Sequence, residues 1–297
     1  MGSKEAAVLG AGPAGIATAI QLKRSGIESV LMEKGEVGGL LLNANLVENY
    51  PGFPGGISGR DLAGLFKDQL KRVRVTVKFE EVIKLDYTGN LFSIETDRGV
   101  TESKIVVVAT GTRPREIPGL EIKDDVRDRF FYEVYPISNI KGKKIIVIGA
   151  GDAALDYALG LSTYNEVTIL NRSERTRCLP ILMDRCRKSK KISYSTNTEV
   201  SGVKKEGSGL EVSAVYIPDG KAYTIYADYL ITATGRDPCT DYFGPGINEN
   251  LEILKKGRRL FMVGDLINGS YRQTAISVGD GIRAAMEIHG AIGGGVA

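Results

Sequence analysis

The chain has 297 residues, 42% of them hydrophobic and 25% charged, and a formal net charge of +3. That length suggests about two domains at ~150 residues each, and so small a charge argues against nucleic acid or an anionic membrane as partner. No apolar run reaches the ~18 residues a bilayer span needs, and no secretory leader is read before the first strand, so a cytoplasmic location is expected.

In chain order, residues 6–9 are an apolar run that reads as a buried strand. Gly10-Ala11-Gly12-Pro13-Ala14-Gly15 then turns into a helix carrying Ile16, Ala19, Ile20 and Leu22, ended by Gly26. A second strand over 29–32 delivers Glu33. In this register each glycine has its own duty: Gly10 for a tight turn, Gly12 for close approach of a pyrophosphate, Gly15 for helix-on-strand packing. The phosphates would lie where the first helical N–H groups lack internal partners and the dipole is positive. Glu33, at the strand end, can accept from a ribose hydroxyl. The stretch reads as a dinucleotide site.

Residues 35–59 form a long Gly-, Pro- and Asn-rich loop, and a loop of that length is usually functional or disordered. An amphipathic helix is expected over 60–72, then strands over 73–79, 81–86, 91–96 and 103–109, the last ending in the small-residue turn Ala109-Thr110-Gly111. From residue 144 the pattern repeats: a strand over 144–148, the turn Gly149-Ala150-Gly151-Asp152-Ala153-Ala154, a helix over 155–162 and a strand over 166–170. Strands over 199–204, 210–217, 222–225 and 229–232 follow, then Ala233-Thr234-Gly235, an echo of the earlier turn. A final strand over 258–265 ends in Gly264-Asp265, before a helix from about 274 and a tail expected to fray beyond Gly290. Alternating βαβ units imply an α/β fold with parallel sheets and helices on both faces. The first domain is split, 1–113 plus 240–297, with 114–239 inserted.

Cys178, Cys186 and Cys239 lack CxxC spacing and His289 is the only histidine. No zinc site, CxxC redox centre or His-based triad is expected, and the cysteines read as structural.

The segments GAGPAG (10–15), VENYPGFPGGISG (47–59), ATGTRPREIPG (109–119), GAGDAALDYAL (149–159) and VGDLINGSYRQTAISVGDGIRAA (263–285) resemble those of the flavin-dependent pyridine nucleotide–disulfide oxidoreductases. Within that group the chain is similar to the low-molecular-weight thioredoxin reductases. The resemblance implies two Rossmann-like domains, FAD in the first and a nicotinamide nucleotide in the second, and a homodimer through the FAD domain. It implies that Gly10, Gly12, Ala14 and Gly15 meet the FAD pyrophosphate and Glu33 the ribose. Gly39, Leu40 and Asn49 would lie along the ribityl chain and ring, Ala109, Thr110 and Gly111 on the adenine side, and Gly264 and Asp265 at the ribityl hydroxyls. Arg272, Gln273 and Thr274 would contact the flavin's polar edge. A glutamine usually stands where Leu40 is.

For the second nucleotide it implies Gly149, Gly151, Asp152, Ala153, Ala154 and Gly235, with Asn171 in the place that Glu33 holds in the first. Asn171, Arg172 and Arg177 lean toward a 2′-phosphate, hence NADPH over NADH, though the family's pattern has one arginine more. The family also carries Cys-x-x-Cys and an acid where this chain has Tyr132-Glu133-Val134-Tyr135 and Pro136. Without two thiols no disulfide relay can be written. The expectation is an FAD-dependent NAD(P)H oxidoreductase whose electrons leave for oxygen, a quinone or a ferredoxin-like carrier, with Tyr132 and Tyr135 facing the flavin. The basic run Arg185, Arg187, Lys188, Lys190 and Lys191 is a possible landing face for an acidic carrier, or simply a solvated helix. Disulfide reduction through the atypical cysteines, and a flavin-binding regulator without turnover, are the alternatives.

Overall fold

The computed structural model describes residues 3–292. Its first elements are β1 (Lys4–Leu9), α1 (Pro13–Arg24), β2 (Ser29–Glu33), α2 (Gly59–Arg72), β3 (Val77–Phe79), β4 (Val82–Tyr87), β5 (Phe92–Thr96), β6 (Gly99–Val108) and β7 (Thr112–Pro114). Next come β8 (Phe130–Phe131), β9 (Lys144–Ile148), α3 (Asp152–Leu161), β10 (Glu166–Leu170), α4 (Pro180–Lys188), β11 (Ile192–Ser195), β12 (Thr198–Glu206), β13 (Gly209–Tyr216), β14 (Lys221–Ala227) and β15 (Tyr229–Thr232). The chain ends with β16 (Arg236–Pro238), α5 (Pro245–Lys256), β17 (Leu260–Met262) and α6 (Thr274–Ile292). Two compact units result. Of the described residues, the first takes 3–42, Val47–Arg113 and 237–292; the second takes Asn43–Leu46 and Pro114–Arg236.

In the first unit β3-β2-β1-β6 lie side by side and parallel, with β17 parallel to the second half of β6. The hairpin β4–β5 adds antiparallel to the first half of β6. Alternate residues of β1 serve opposite faces, as the pleat requires. Ala6 and Val8 pack with α1 and α6, and Ala7 and Leu9 pack with α5, so both faces are buried. Helices α1 and α6 cross closely at Gly281, where a Cβ would lie 2.2 Å from the Ala14 carbonyl oxygen. Thr18 Oγ1 bridges the crossing, donating to Ala14 O (2.8 Å) and Gly281 O (3.2 Å).

The second unit is built on the parallel sheet β11-β10-β9-β15-β8. Ile145, Val147 and Ile169 pack against α3 and α4 on one face. Here the expectation of helices on both faces fails. The other face, with Ile146, Ile148 and Leu230, is covered by the antiparallel sheet β12-β13-β14 through Val200, Val203, Leu210 and Val212. Period-two alternation leaves that small sheet one apolar face, which it buries where a helix was expected.

Other differences have local causes. The strand expected over 73–79 is confined to β3, because Arg74 adopts φ +58° and closes α2. The final strand is only β17, bounded by Arg258 at φ +52° and Gly264 at φ +72°. Helix α5 was not anticipated, α3 begins at Asp152 rather than 155, and α6 runs on past Gly290. The tail from 293 lies outside the described residues. Among the described residues no helix is long and apolar enough to cross a membrane.

Candidate functional site

In each unit the parallel strands deliver their carboxyl ends to one edge of a sheet, where doubly wound folds bind ligands. In the first unit that edge gathers the turns after β1, β2, β6 and β17, hence Gly10, Glu33, Ala109 and Gly264. Gly10 has φ +97°, and a Cβ there would stand 2.5 Å from the Ala109 carbonyl oxygen. A Cβ on Gly15 would stand 1.9 Å from the Gly10 oxygen. Gly12 differs: a Cβ there meets nothing within 4 Å. It is the N-cap of α1, where no side chain caps the helix and Pro13 takes the first turn. Closed at Gly10 and Gly15 and open at Gly12, the cradle fits a dinucleotide pyrophosphate, the role expected of it toward FAD. Glu33 is already oriented, with Oε2 accepting from the Ala11 N–H (2.7 Å) and Oε1 from the Gly35 N–H (2.9 Å).

The remaining residues expected at the flavin are brought together in part. Gly39, at φ +55°, would place a Cβ 3.1 Å from Gly12 Cα, and half-buried Leu40 follows it in a 3-10 turn. Residues 47–57 close on themselves through a Val47–Ile57 bridge, so the long loop is ordered. It carries Asn49 to Gln273, Nδ2 donating to Oε1 at 2.8 Å. Arg272 Nε donates to the Gly269 carbonyl (2.6 Å), just before Thr274 opens α6. Asp265 accepts from Ser277 Oγ (3.1 Å), and Asp280 holds the Gly264 N–H and Asn268 Nδ2. The Thr110 hydroxyl donates to the Cys239 carbonyl (3.1 Å), beside the Tyr242 hydroxyl.

The second unit repeats the cradle. Gly149, at φ +129°, would set a Cβ 2.4 Å from the Ala233 carbonyl oxygen, while Gly151 again meets nothing within 4 Å and caps α3. Ala154, where the first cradle has Gly15, is buried, and exposed Ala153 and Asp152 form the first turn of α3. Gly235 has φ +120°, with a Cβ position 3.4 Å from the Arg115 side chain. The loop after β10 is tied down at two points: Thr176 Oγ1 donates to the Ala150 carbonyl (2.6 Å) and the Leu179 N–H to Asp152 Oδ1 (2.7 Å). Arg172 and Arg177 are exposed on it. Asn171 is only 6% exposed, and its amide bonds within the protein, to Ser173, Arg175 and Tyr194.

The stretch 132–136, where the resemblance leads one to expect two cysteines, follows β8 at the same carboxyl edge. Tyr132 packs edge-on against Phe130, with ring centres 5.2 Å apart. With Ile117, Leu120 and Ile122 it lines a cavity of about 210 Å³ flanked by Glu116 and Glu121, and burial raises its hydroxyl above the ordinary tyrosine value. Tyr135 opens a 3-10 turn, its N–H donating to Asn43 Oδ1 (2.9 Å).

Between the tyrosines lies a polar chain that sequence reasoning missed. Glu133 Oε1 pairs with Arg236 Nη1 at 2.6 Å, and Oε2 accepts from Asn43 Nδ2 at 2.7 Å. Strand pairing explains the ion pair, because β8 and β15 are neighbours and Glu133 and Arg236 follow their ends. Burial pushes the Glu133 carboxyl above the usual carboxylate value, and Arg236 offsets part of that rise. Burial first, and the Glu133 charge second, also push the Tyr157 phenol well above its ordinary value. All three cysteines are free. Cys186 is 2% exposed, and burial pushes its thiol up to about 11.

The sequence profile of the family described as "Pyridine nucleotide-disulphide oxidoreductase" matches residues 4–281. A "Thioredoxin reductase" of Streptomyces clavuligerus is 29% identical over 302 residues, 94% of this chain and 91% of its own. A Clostridium pasteurianum relative, "34.2 kDa protein in rubredoxin operon", is 27% identical over 97% of this chain and 96% of its own. Among solved structures, Lactococcus lactis thioredoxin reductase superposes with a TM-score of 0.86 at 25% identity, covering 98% of this chain and 99% of that one.

Proposed function

The chain belongs to the pyridine nucleotide-disulphide oxidoreductase family, and we propose that this FAD-dependent NAD(P)H oxidoreductase passes its electrons to an acceptor other than a protein disulfide. The observation that carries the reading is the stretch Tyr132–Pro136, which holds no thiol. FAD held in the first unit would supply a two-electron centre for hydride from a nicotinamide. The protein's part is to bind and orient. Gly10, Gly12 and Gly15 present the open N-terminus of α1 to the pyrophosphate, and Glu33 offers a ribose acceptor. Gly149 and Gly151 do the same for NADPH.

Buried Cys186 is a poor substitute for the relay. A thiol with a pKa near 11 is almost wholly protonated at neutral pH and is a poor nucleophile. Tyr132 and Tyr135 cannot hold an electron pair as a dithiol does. The relative described by its rubredoxin operon favours a protein electron carrier among the acceptors. Arg187, Lys188, Lys190 and Lys191 are exposed at the end of α4 and just beyond it, and would steer an acidic one.

Under anaerobic conditions excess NADPH is expected to bleach the flavin of the purified protein in a stopped-flow trace. Oxygen, a quinone or a ferredoxin should then restore the colour faster than a disulfide substrate does. Flavin that stays yellow under NADPH and NADH would end this reading. So would fast disulfide reduction that disappears in Cys178→Ser or Cys186→Ser. A homodimer through the FAD unit is part of the proposal, because α6 leaves Ile276, Ile282 and Met286 exposed along one side. Sedimentation of the holoprotein as a monomer at micromolar concentration would remove that part.

A further inference from the structure

At the end of β10 stands Asn171, where a dinucleotide fold that takes NADH commonly has an acid directed at the ribose. Here each hydrogen-bonding group of that side chain is engaged inside the protein. Nδ2 donates to the Arg175 carbonyl and to the Tyr194 hydroxyl, both at 3.0 Å, and Oδ1 accepts from the Ser173 N–H at 3.1 Å. Ser173 Oγ donates to the same Arg175 carbonyl at 2.7 Å. A carbonyl gripped by two donors fixes the backbone that carries it. With Thr176 tied to Ala150 in the glycine turn, residues 171–176 form a braced loop.

What the brace displays is basic. Arg172, Arg175 and Arg177 are all exposed, and none forms an ion pair among the described residues. Glu174 is the one acid among them, so the loop stays net positive. Three guanidinium groups without carboxylate partners, beside a dinucleotide cradle, suit a phosphate better than a ribose diol. An aspartate at 171 would lose both donors and turn a carboxylate on the Arg175 carbonyl, so the loop as built needs the amide.

We propose that Arg175 is a specificity-determining contact for the 2′-phosphate of the nicotinamide nucleotide, and that Asn171 and Tyr194 are the residues that position it. This rests on the NADPH reading above and adds the residues that set its selectivity. Tyr194 lies on β11, the strand beside β10, and acts only through Asn171.

The test uses the FAD-loaded full chain and calorimetric titration at fixed ionic strength, with adenosine 2′,5′-bisphosphate and 5′-AMP as probes. A charge-assisted contact is expected to show as about a tenfold weaker bisphosphate in Arg175→Ala, with 5′-AMP changed less than about twofold. Arg175→Lys should recover part of the loss, since a point charge replaces the fork. Tyr194→Phe keeps the ring and removes the acceptor of the Asn171 amide. It should weaken the bisphosphate about threefold, again with little change for 5′-AMP. Unchanged bisphosphate binding in Arg175→Ala and Tyr194→Phe, or equal losses of both probes, would overturn the inference. A parent protein that binds the two probes equally would instead remove the NADPH reading beneath it.

Discussion

Replacing Gly12 by alanine is expected to give a protein that folds like its parent and purifies without colour. Its φ of −77° and ψ of −178° suit any residue, and the new Cβ meets no protein atom within 4 Å. The fold therefore loses only the N-cap preference for glycine, about 1 kcal/mol. The methyl group projects into the space that a pyrophosphate needs if it is to reach the N–H groups of α1. Gly15→Ala should behave in the opposite way. Its Cβ would lie 1.9 Å from the Gly10 carbonyl oxygen, so α1 must move off β1. Overpacking of that kind costs about 3 kcal/mol or more, and the loss appears in the flavin-free protein. Thermal unfolding of apoprotein, with flavin content read from the visible spectrum, separates the two. A Gly12→Ala protein that keeps stoichiometric FAD would show that the cradle is not the flavin site. A Gly15→Ala apoprotein as stable as the parent would show that the crossing is looser than drawn.

The contrast between those glycines also shows how far the sequence could be read. Strand, turn, helix and second strand lie within one short stretch, and each glycine's duty follows from the local path of the backbone. The Gly10–Ala109 approach and its repeat, Gly149–Ala233, join each cradle to a later small-residue turn that the sequence already showed as an echo. Helix α5 is equally legible in its own residues. Pro245 opens it, Gly244 and Gly257 flank it, and Ile247 and Leu254 recur at helical spacing to face the core. Other features were out of reach. Glu133 meets Arg236 and Asn43 across 103 and 90 residues, and only the adjacency of β8 and β15 makes the first contact. That Asn171 follows directly on β10 is legible from the apolar pattern of that strand. What its amide does, however, depends on Tyr194 in the next strand, and no spacing rule connects those two.

That long-range pair gives the second large expected effect, one that changes with pH. In Arg236→Met the Glu133 carboxyl keeps its buried surroundings and the Asn43 bond but loses its countercharge. Burial already holds this carboxyl above its ordinary value of 4.5, and the guanidinium is the main influence lowering it. Without Arg236 the folded-state value rises further. A group whose folded pKa is raised contributes stability that is complete below the unfolded pKa and is lost as pH climbs through the folded one. The variant's deficit should therefore be small near pH 5, about 1 kcal/mol from lost packing and hydrogen bonding. It should grow toward pH 8, to about 3 kcal/mol, as an unpaired carboxylate is left in place. The side chains of the pair retain 19% and 28% exposure, which puts the effect at the low end for buried pairs. Pairing the change with Glu133→Leu removes the stranded charge and should return most of the loss and abolish the pH dependence. Urea midpoints followed by far-ultraviolet circular dichroism at the two pH values read all three proteins. Equal deficits at pH 5 and pH 8 would mean that the Glu133 charge is not what Arg236 compensates.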